Sequence, residues 1–420
     1  MKRNNVILTL LLIFTLGLFI TGCGDNANAA DRTEVVFWHV MGGPIGDVLD
    51  ELVDSFNTLN PDIRVVPVSV GNYNALSQKI MASVNNPPVM SQMYESWTME
   101  LFMGDRLEPI ENIASQEDIS EIEKNLFDIF VKDNTFNGTL VSLPFNKSVP
   151  TFFYNKDRFK EFSIEEFPET WDEFFKTMRK LTVDTDNDGK TDIYGTAFNI
   201  NTWMFETRLL QFNGILVDED LNPKFNSPAA IKALNIDRTI LDDKTGYVTT
   251  GYQHQDDFIG EKVATIYGSS VSLSFIKDNE PTFELGVAPV PSGERDAVLI
   301  SGTNVSVFKN ATDNQKRAAY KFIKWFISPE IQAIWSAKTG YVPVTPLAYE
   351  YPVLREHFEK NPGLKDVYNQ LNYAHMEPQA NIWYLGRQML GEALEYIVKG
   401  NTDPQKTLDK AAEKYRKELD

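Results

Sequence analysis

Between Glu34 and Tyr94 the hydrophobic period switches back and forth between that of a strand and that of a helix. No other feature of the sequence constrains the fold as strongly. Glu34-Val35-Val36-Phe37-Trp38-His39-Val40 is a β-rich run. It ends at Gly42-Gly43-Pro44, residues that turn a chain and start a helix. Ile45, Val48, Leu49, Leu52, Val53 and Phe56 then recur at helical spacing and draw one apolar stripe, which Asn60-Pro61 stops. Ile63 to Val70 predicts a second strand, Tyr73, Leu76, Ile80 and Val84 a second helix, and Val89 to Tyr94 a third, buried strand. A β-α-β-α-β order implies a mainly parallel sheet covered on both faces. Such sheets bind ligands beyond the carboxyl ends of their strands, which directs attention to the loops after Val40, Val70 and Tyr94.

One such unit does not account for 420 residues, because single cores stop growing at roughly 250–300 residues. A second α/β block runs from about Pro150 to Pro291. It holds predicted strands at Val149–Tyr154, Ile193–Ile200 and Val263–Tyr267, and helices at Trp171–Leu181 and Pro228–Leu241. Near Ser301 the pattern shifts to a strand over Thr303–Phe308. A long helix with Ala318, Ala319, Phe322, Ile323, Trp325 and Phe326 follows, and helices at Leu385–Val398 and Pro404–Leu419 close the chain. With 42% hydrophobic residues there is material for two cores, and disorder is excluded as a global description.

The start of the chain reads as an address. Lys2 and Arg3 precede an uncharged, mostly apolar run from Val6 to Ile20, then Thr21-Gly22-Cys23. That run is short for a membrane span and suits a signal peptide, residues 1–22. The small residues before Cys23 resemble a lipoprotein cleavage box, so Cys23, the only cysteine, is the expected lipidation site. Acyl chains there would hold the protein on a membrane at about 0.8 kcal/mol per buried methylene. Residues 23–32 then form a flexible tether. These features place the mature protein on the extracytoplasmic face of the cell membrane. A formal net charge of -19 repels phosphate backbones at long range, so no nucleic-acid partner is expected.

The sequence contains no zinc-ligand spacing among its four histidines, no Gly-x-Ser-x-Gly elbow and no phosphate-binding Gly-x-x-x-x-Gly-Lys-Ser/Thr loop. Nothing in it demands a reaction. One metal motif stands out: Asp184, Asp186, Asp188 and Asp192 occupy positions 1, 3, 5 and 9 of an EF-hand-like loop, with Gly189 at position 6. Position 12, where a bidentate Glu belongs, is Gly195. A structural calcium ion and a solvated acidic turn are both compatible with that half-motif, and no other cofactor is expected.

Several segments resemble the extracellular solute-binding proteins of ABC importers, in the branch related to maltose-binding and glycerol-3-phosphate-binding proteins. They include Phe37-Trp38-His39, Gly71-Asn72-Tyr73, Tyr94-Glu95, Pro144-Phe145-Asn146-Lys147-Ser148, Tyr154-Asn155-Lys156-Asp157, Lys338-Thr339-Gly340-Tyr341-Val342-Pro343, and Arg387 ahead of Glu392-Ala393-Leu394-Glu395. The pieces keep their order over nearly the whole mature chain. Gly-Asn-Tyr, Tyr-Glu and Pro-Phe-Asn-x-Ser point to the glycerol-phosphate branch.

The resemblance implies an α/β fold of two lobes, of the type II periplasmic-binding-protein kind, with the ligand in a cleft and a multi-strand hinge. Residues 33–146 and 303–345 would form lobe 1, and residues 147–302 and 346–420 lobe 2. It implies a monomeric binding component, not an enzyme, that hands a small polar ligand to a permease and a separate ATPase. By motif position the ligand contacts fall on Tyr73, Glu95, Ser148, Trp203, Ser270, Gly302, Tyr341 and Arg387. A phenol at Tyr73 or Tyr341 and a carboxylate at Glu95 suit polyol hydroxyls. An indole at Trp203 can cover a carbon skeleton while its N–H donates. Ser148 and Ser270 supply hydroxyls, Gly302 lets a backbone N–H approach an oxyanion, and Arg387 is the phosphate partner.

The chain departs from the family pattern in two places. Phe198-Asn199-Ile200-Asn201 stands where a second tryptophan is expected, and Ser301-Gly302 where Gly-Gly is expected. Glycerol 3-phosphate or a glycerophosphodiester is the leading ligand. A neutral sugar or oligosaccharide, with Trp97 and Trp383 adding aromatic faces, is the alternative. A secreted carbohydrate-active enzyme and a sensory lipoprotein are further alternatives.

Overall fold

The apolar stripe after Gly42 is a helix, Gly43–Leu59, and it buries Ile45, Leu49, Leu52, Val53 and Phe56 against the sheet beneath it. In the computed structural model, which describes residues 32–400 and 402–419, that sheet has six strands. Their order is Ile63–Ser69, Thr33–His39, Met90–Met93, Ser301–Phe308 and Leu107–Glu108, with Leu143–Ser148 also paired to Ser301–Phe308. The first three strands are parallel, as the alternation of periods requires, and Ser301–Phe308 enters antiparallel. Asn72 starts the second helix, Tyr73–Ala82, by accepting a hydrogen bond from the Ala75 N–H at 2.9 Å.

A second, five-stranded sheet runs Gly246–Thr249, Tyr194–Asn199, Val263–Ser269, Pro150–Asn155 and Leu285–Ala288. The helix Trp171–Leu181 covers it with Phe174, Met178 and Leu181, and starts from a reciprocal cap between Thr170 and Glu173. The C-terminal helices Trp383–Gly400 and Pro404–Lys417 pack on the helix Thr202–Gln211, around Trp383, Leu390, Leu408 and Tyr415.

Two one-residue links lead out of the first sheet, one to the five-stranded sheet and one to a two-stranded pair made by Val298–Leu299 and Ala374–His375. Val149 separates Leu143–Ser148 from Pro150–Asn155, and Ile300 separates Val298–Leu299 from Ser301–Phe308. The crossings lie side by side, with Ser301 opposite Ser148 and Gly302 opposite Lys147. A third passage runs alongside, where the Val342 N–H donates to the Lys147 carbonyl at 2.8 Å. The helix Pro352–Lys360 packs on Pro329–Thr339 of the first lobe, whereas Asn361 just beyond it accepts from Lys277 of the second. The segment after 345 therefore straddles both lobes. Signal peptide, Cys23 and all of the tether but Arg32 lie outside the described residues. Among the described residues no helix is long and apolar enough to cross a membrane.

Candidate functional site

The strand Leu143–Ser148 is buried along its whole length although it carries Asn146, Lys147 and Ser148. Polar side chains so placed need partners, and segments of the first lobe supply them for Asn146 and Lys147. Asn146 Nδ2 donates to the Tyr73 hydroxyl at 3.1 Å and to the Tyr341 hydroxyl at 3.0 Å. Its Oδ1 accepts from Gln92 Nε2 at 3.0 Å and from the Thr303 N–H at 3.2 Å. Asn146 thus ties the ends of four segments into one polar floor. Tyr341 is held flat on Trp335, ring centres 5.5 Å apart, by the turn at Gly340, whose φ of 79° favours glycine.

Lys147 points to the other face. Its Nζ lies 2.9 Å from Glu95 and 2.6 Å from Asp133, and none of its side chain is exposed. Asn304 Nδ2 donates to the same two carboxylates, at 3.2 and 3.1 Å. Burial and then the neighbouring Asp133 raise the Glu95 carboxyl to about 8, against the pull of Lys147. Burial opposes the charge on Lys147, yet Asp133 and Glu95 together hold it above the ordinary lysine range. Only Oε1 of Glu95 bonds to described residues, which leaves Oε2 as an acceptor.

Arg387 comes from the second lobe, on the first turns of Trp383–Gly400. Its Nε donates to Glu206 at 3.1 Å and its Nη1 to Glu377 at 2.8 Å. Nη2 bonds to none of the described residues. Burial raises both carboxyls to about 7, with Arg387 pulling the other way. One oxygen of Glu206, Oε2, is buried without a hydrogen-bond partner among the described residues. Arg387 keeps its charge more firmly than an ordinary arginine, because Glu206 and Glu377 outweigh the cost of burial.

Tyr94 sits between these groups, within electrostatic reach of Tyr73, Arg387, Glu377 and Glu95. An aromatic cluster closes the mouth: Tyr94 is 4.9 Å from Tyr73, 5.1 Å from Trp97 and 6.4 Å from Tyr384 of the second lobe. Tyr384 also donates to Asn74, and Gln379 Nε2 donates to the carbonyls of Lys132 and Asp133.

Tyr73, Glu95, Tyr341 and Arg387 therefore converge where the two lobes meet. Ser148 ends the first crossing strand, paired with Ser301. The Ser270 N–H donates to Val149, while its hydroxyl is buried with no partner among the described residues. The Trp203 indole N–H is already engaged with the Leu299 carbonyl at 2.7 Å, so only its ring face remains for a ligand. Gly302 has φ +112°, and a Cβ there would lie 1.9 Å from the Asn146 carbonyl oxygen. Crossing geometry alone requires that glycine. Carboxylate oxygens of Asp184, Asp186 and Asp188 lie within 4.8 Å of one another. Asp192 instead accepts from Thr185, whose N–H is 2.7 Å away.

Sequence reasoning missed Gln92, Asp133, Asn146, Lys147, Glu206, Thr303, Asn304, Glu377 and Tyr384 as site residues. Lys147 in a wholly buried strand and Glu206 inside the apolar run Trp203-Met204-Phe205 carried a signal, since buried charge needs a partner. Asp133 and Glu377 carried none.

Two α/β lobes with a polar, charge-rich face at their paired crossing strands define a two-lobed binding protein. The sequence matches the bacterial extracellular solute-binding protein family over residues 51–366. The chain belongs to that family and is a solute-binding protein, not an enzyme. It is 28% identical to the sn-glycerol-3-phosphate-binding periplasmic protein UgpB of Escherichia coli K12, over 96% of each chain. It is 27% identical to UgpB of Yersinia pseudotuberculosis, over 93% of each. In structure it resembles UgpB from Mycobacterium tuberculosis in complex with glycerophosphocholine, with TM-score 0.79 and 22% identity, over 92% of this chain and 98% of that one. It also resembles the sugar-binding protein MalE of Xanthomonas citri, with TM-score 0.78 and 21% identity, over 92% and 97%.

Proposed function

We propose that this chain is the lipid-anchored binding component of an ABC importer and captures glycerol 3-phosphate or a glycerophosphodiester between its lobes. It is held outside the cytoplasm through Cys23 and delivers its cargo as a monomer to a permease and a separate ATPase. The convergence of Tyr73, Glu95, Tyr341 and Arg387 at the lobe crossing carries this reading, in a chain related to glycerol-3-phosphate-binding proteins over nearly its whole length. Glu95 Oε2 accepts from a glycerol hydroxyl, the Tyr73 and Tyr341 hydroxyls line the floor, and Arg387 Nη2 donates to a phosphoryl oxygen. Tyr94, Trp97 and Tyr384 close over the carbon skeleton. No bond is made or broken.

The aromatic cluster favours a second reading in the same role, a neutral sugar or oligosaccharide. A thermal-shift panel of the mature protein against glycerol 3-phosphate, glycerophosphodiesters and maltose-type sugars separates the two. A ligand at about 100 times its Kd adds about 2.7 kcal/mol of stability. Stabilisation by the sugars alone would discard the glycerol-phosphate reading.

A further inference from the structure

Six ionisable side chains meet at this face: Glu95, Asp133, Glu206 and Glu377 against Lys147 and Arg387. Carboxylates outnumber cations two to one, and each cation is already ion-paired to two of them. An incoming anion therefore meets a guanidinium whose charge is compensated, with the buried Glu377 alongside its Nη1 edge and Glu95 within electrostatic reach of Glu377.

We infer that Glu377, by clamping Arg387 together with Glu206, makes the cleft select phosphodiesters over phosphate monoesters. The inference rests on the glycerol-phosphate reading and names the substrate class within it. A monoester carries about −1.5 to −2 charges at neutral pH, and a diester carries one. Arg387 Nη2 offers hydrogen-bond donors to either, but the second negative charge of the monoester meets only cations that are already ion-paired at this face, Lys147 and Arg387. A cationic alcohol on the diester gains further, because it can face the surplus carboxylates and the rings of Tyr94, Trp97 and Tyr384. Glu377 acts here as a specificity-determining residue through Arg387. It reaches the site from the segment between the second-lobe strand Ala374–His375 and the helix Trp383–Gly400.

Calorimetric titration at pH 7.5 tests this with glycerol 3-phosphate, glycerophosphoglycerol and glycerophosphocholine, on the wild-type protein and on Glu377→Gln, Glu377→Asp and Glu206→Gln. The wild type is expected to bind the diesters at least about tenfold more tightly than the monoester, a difference of about 1.4 kcal/mol. Glu377→Gln is expected to tighten the monoester by about tenfold while the diesters change less than about threefold, and Glu377→Asp to restore the wild-type order. Equal wild-type affinity for monoester and diesters overturns the inference and leaves the glycerol-phosphate reading standing. So does a uniform loss for all three compounds in both Gln variants. Silence from all three compounds on the wild type overturns the parent reading and this inference with it.

Discussion

The buried carboxylates make the stability of the ligand-free protein fall as pH rises above neutrality. Glu95 is raised to about 8, and Glu206 and Glu377 to about 7, each from 4.5 and each chiefly by burial. A carboxyl raised in the folded state holds a proton that the unfolded chain has lost, so folding takes up protons between the two values. Stability then declines with rising pH. The histidines act in the opposite sense: burial lowers His39 and His357 to about 4, and lowers His254 and His375 as well. Their contribution grows with pH and is complete only once the unfolded imidazole is almost wholly neutral, above about 7.5. Surface acids held low by lysines, such as Glu284 at about 2, finish titrating below 4.5. From pH 6.5 to 8 the three carboxyls are opposed only by the rest of the histidine gain, about 0.4 kcal/mol for each of the two lowered to about 4. Glu206 and Glu377 share one guanidinium and are counted once. Integrated over that window, with Glu95 giving up half its proton and the Arg387 pair most of one, the carboxyls lose about 2–3 kcal/mol, which leaves a net decline of about 1–2 kcal/mol. Urea unfolding followed by tryptophan fluorescence at pH 6.5, 7, 7.5 and 8 measures it. Glu95→Gln should remove about two-thirds of the carboxyl loss and with it most of the net decline. A wild-type stability that stays level or climbs across this window would refute the assignment of protons to these groups.

Gly302→Ala should destabilise the protein by several kcal/mol, since the new Cβ meets the Asn146 carbonyl oxygen at 1.9 Å and the backbone sits at φ +112°. A thermal midpoint within a degree of wild type would show that the crossing relaxes freely. A cation at the Asp184 loop is tested by calcium titration of the wild type and Asp186→Ala: heat present in the first and absent in the second supports the site, and silence in both removes it.

The parts of the fold that show one strong period could be read from the chain. Trp171–Leu181 has the predicted bounds, because a cap at Thr170 and a stripe of Phe174, Met178 and Leu181 agree. Thr202–Gln211 offers no stripe to read, since nine of its ten residues, including Glu206, Thr207, Arg208 and Gln211, are buried. A helix buried all round has no amphipathic period. The same limit applies to the site. Tyr73, Glu95, Tyr341 and Arg387 stood out by motif, but the motif says nothing about which charges they meet. Arg387 finds Glu206 at a separation of 181 residues, and Asn304 finds Asp133 at 171. Only the tertiary folding of each lobe creates those pairs, and no local spacing encodes them.

The pairs also bear on how a ligand would hold the lobes together. Glu95 and Asp133 belong to the first lobe, Lys147 to the crossing strand, and Glu206, Glu377 and Arg387 to the second. The links at Val149 and Ile300 are one residue long, so a hinge rotation needs few dihedrals to change. Separation of the lobes would rehydrate the surplus carboxylates, which favours the open arrangement. It would also break the Tyr384 contact with Asn74 and the Gln379 bonds to Lys132 and Asp133, which favours the closed one. A shift of the closed fraction from 1% to 99% needs about 5.5 kcal/mol of differential affinity. Hydrogen bonds at Glu95 Oε2 on one side and from Arg387 Nη2 on the other form together only when the cleft is shut; those involving a charged group are worth about 1.5–3 kcal/mol each and the others about 1. Two to four of them supply that difference, so a ligand that reaches both lobes closes the protein and one that reaches a single lobe does not.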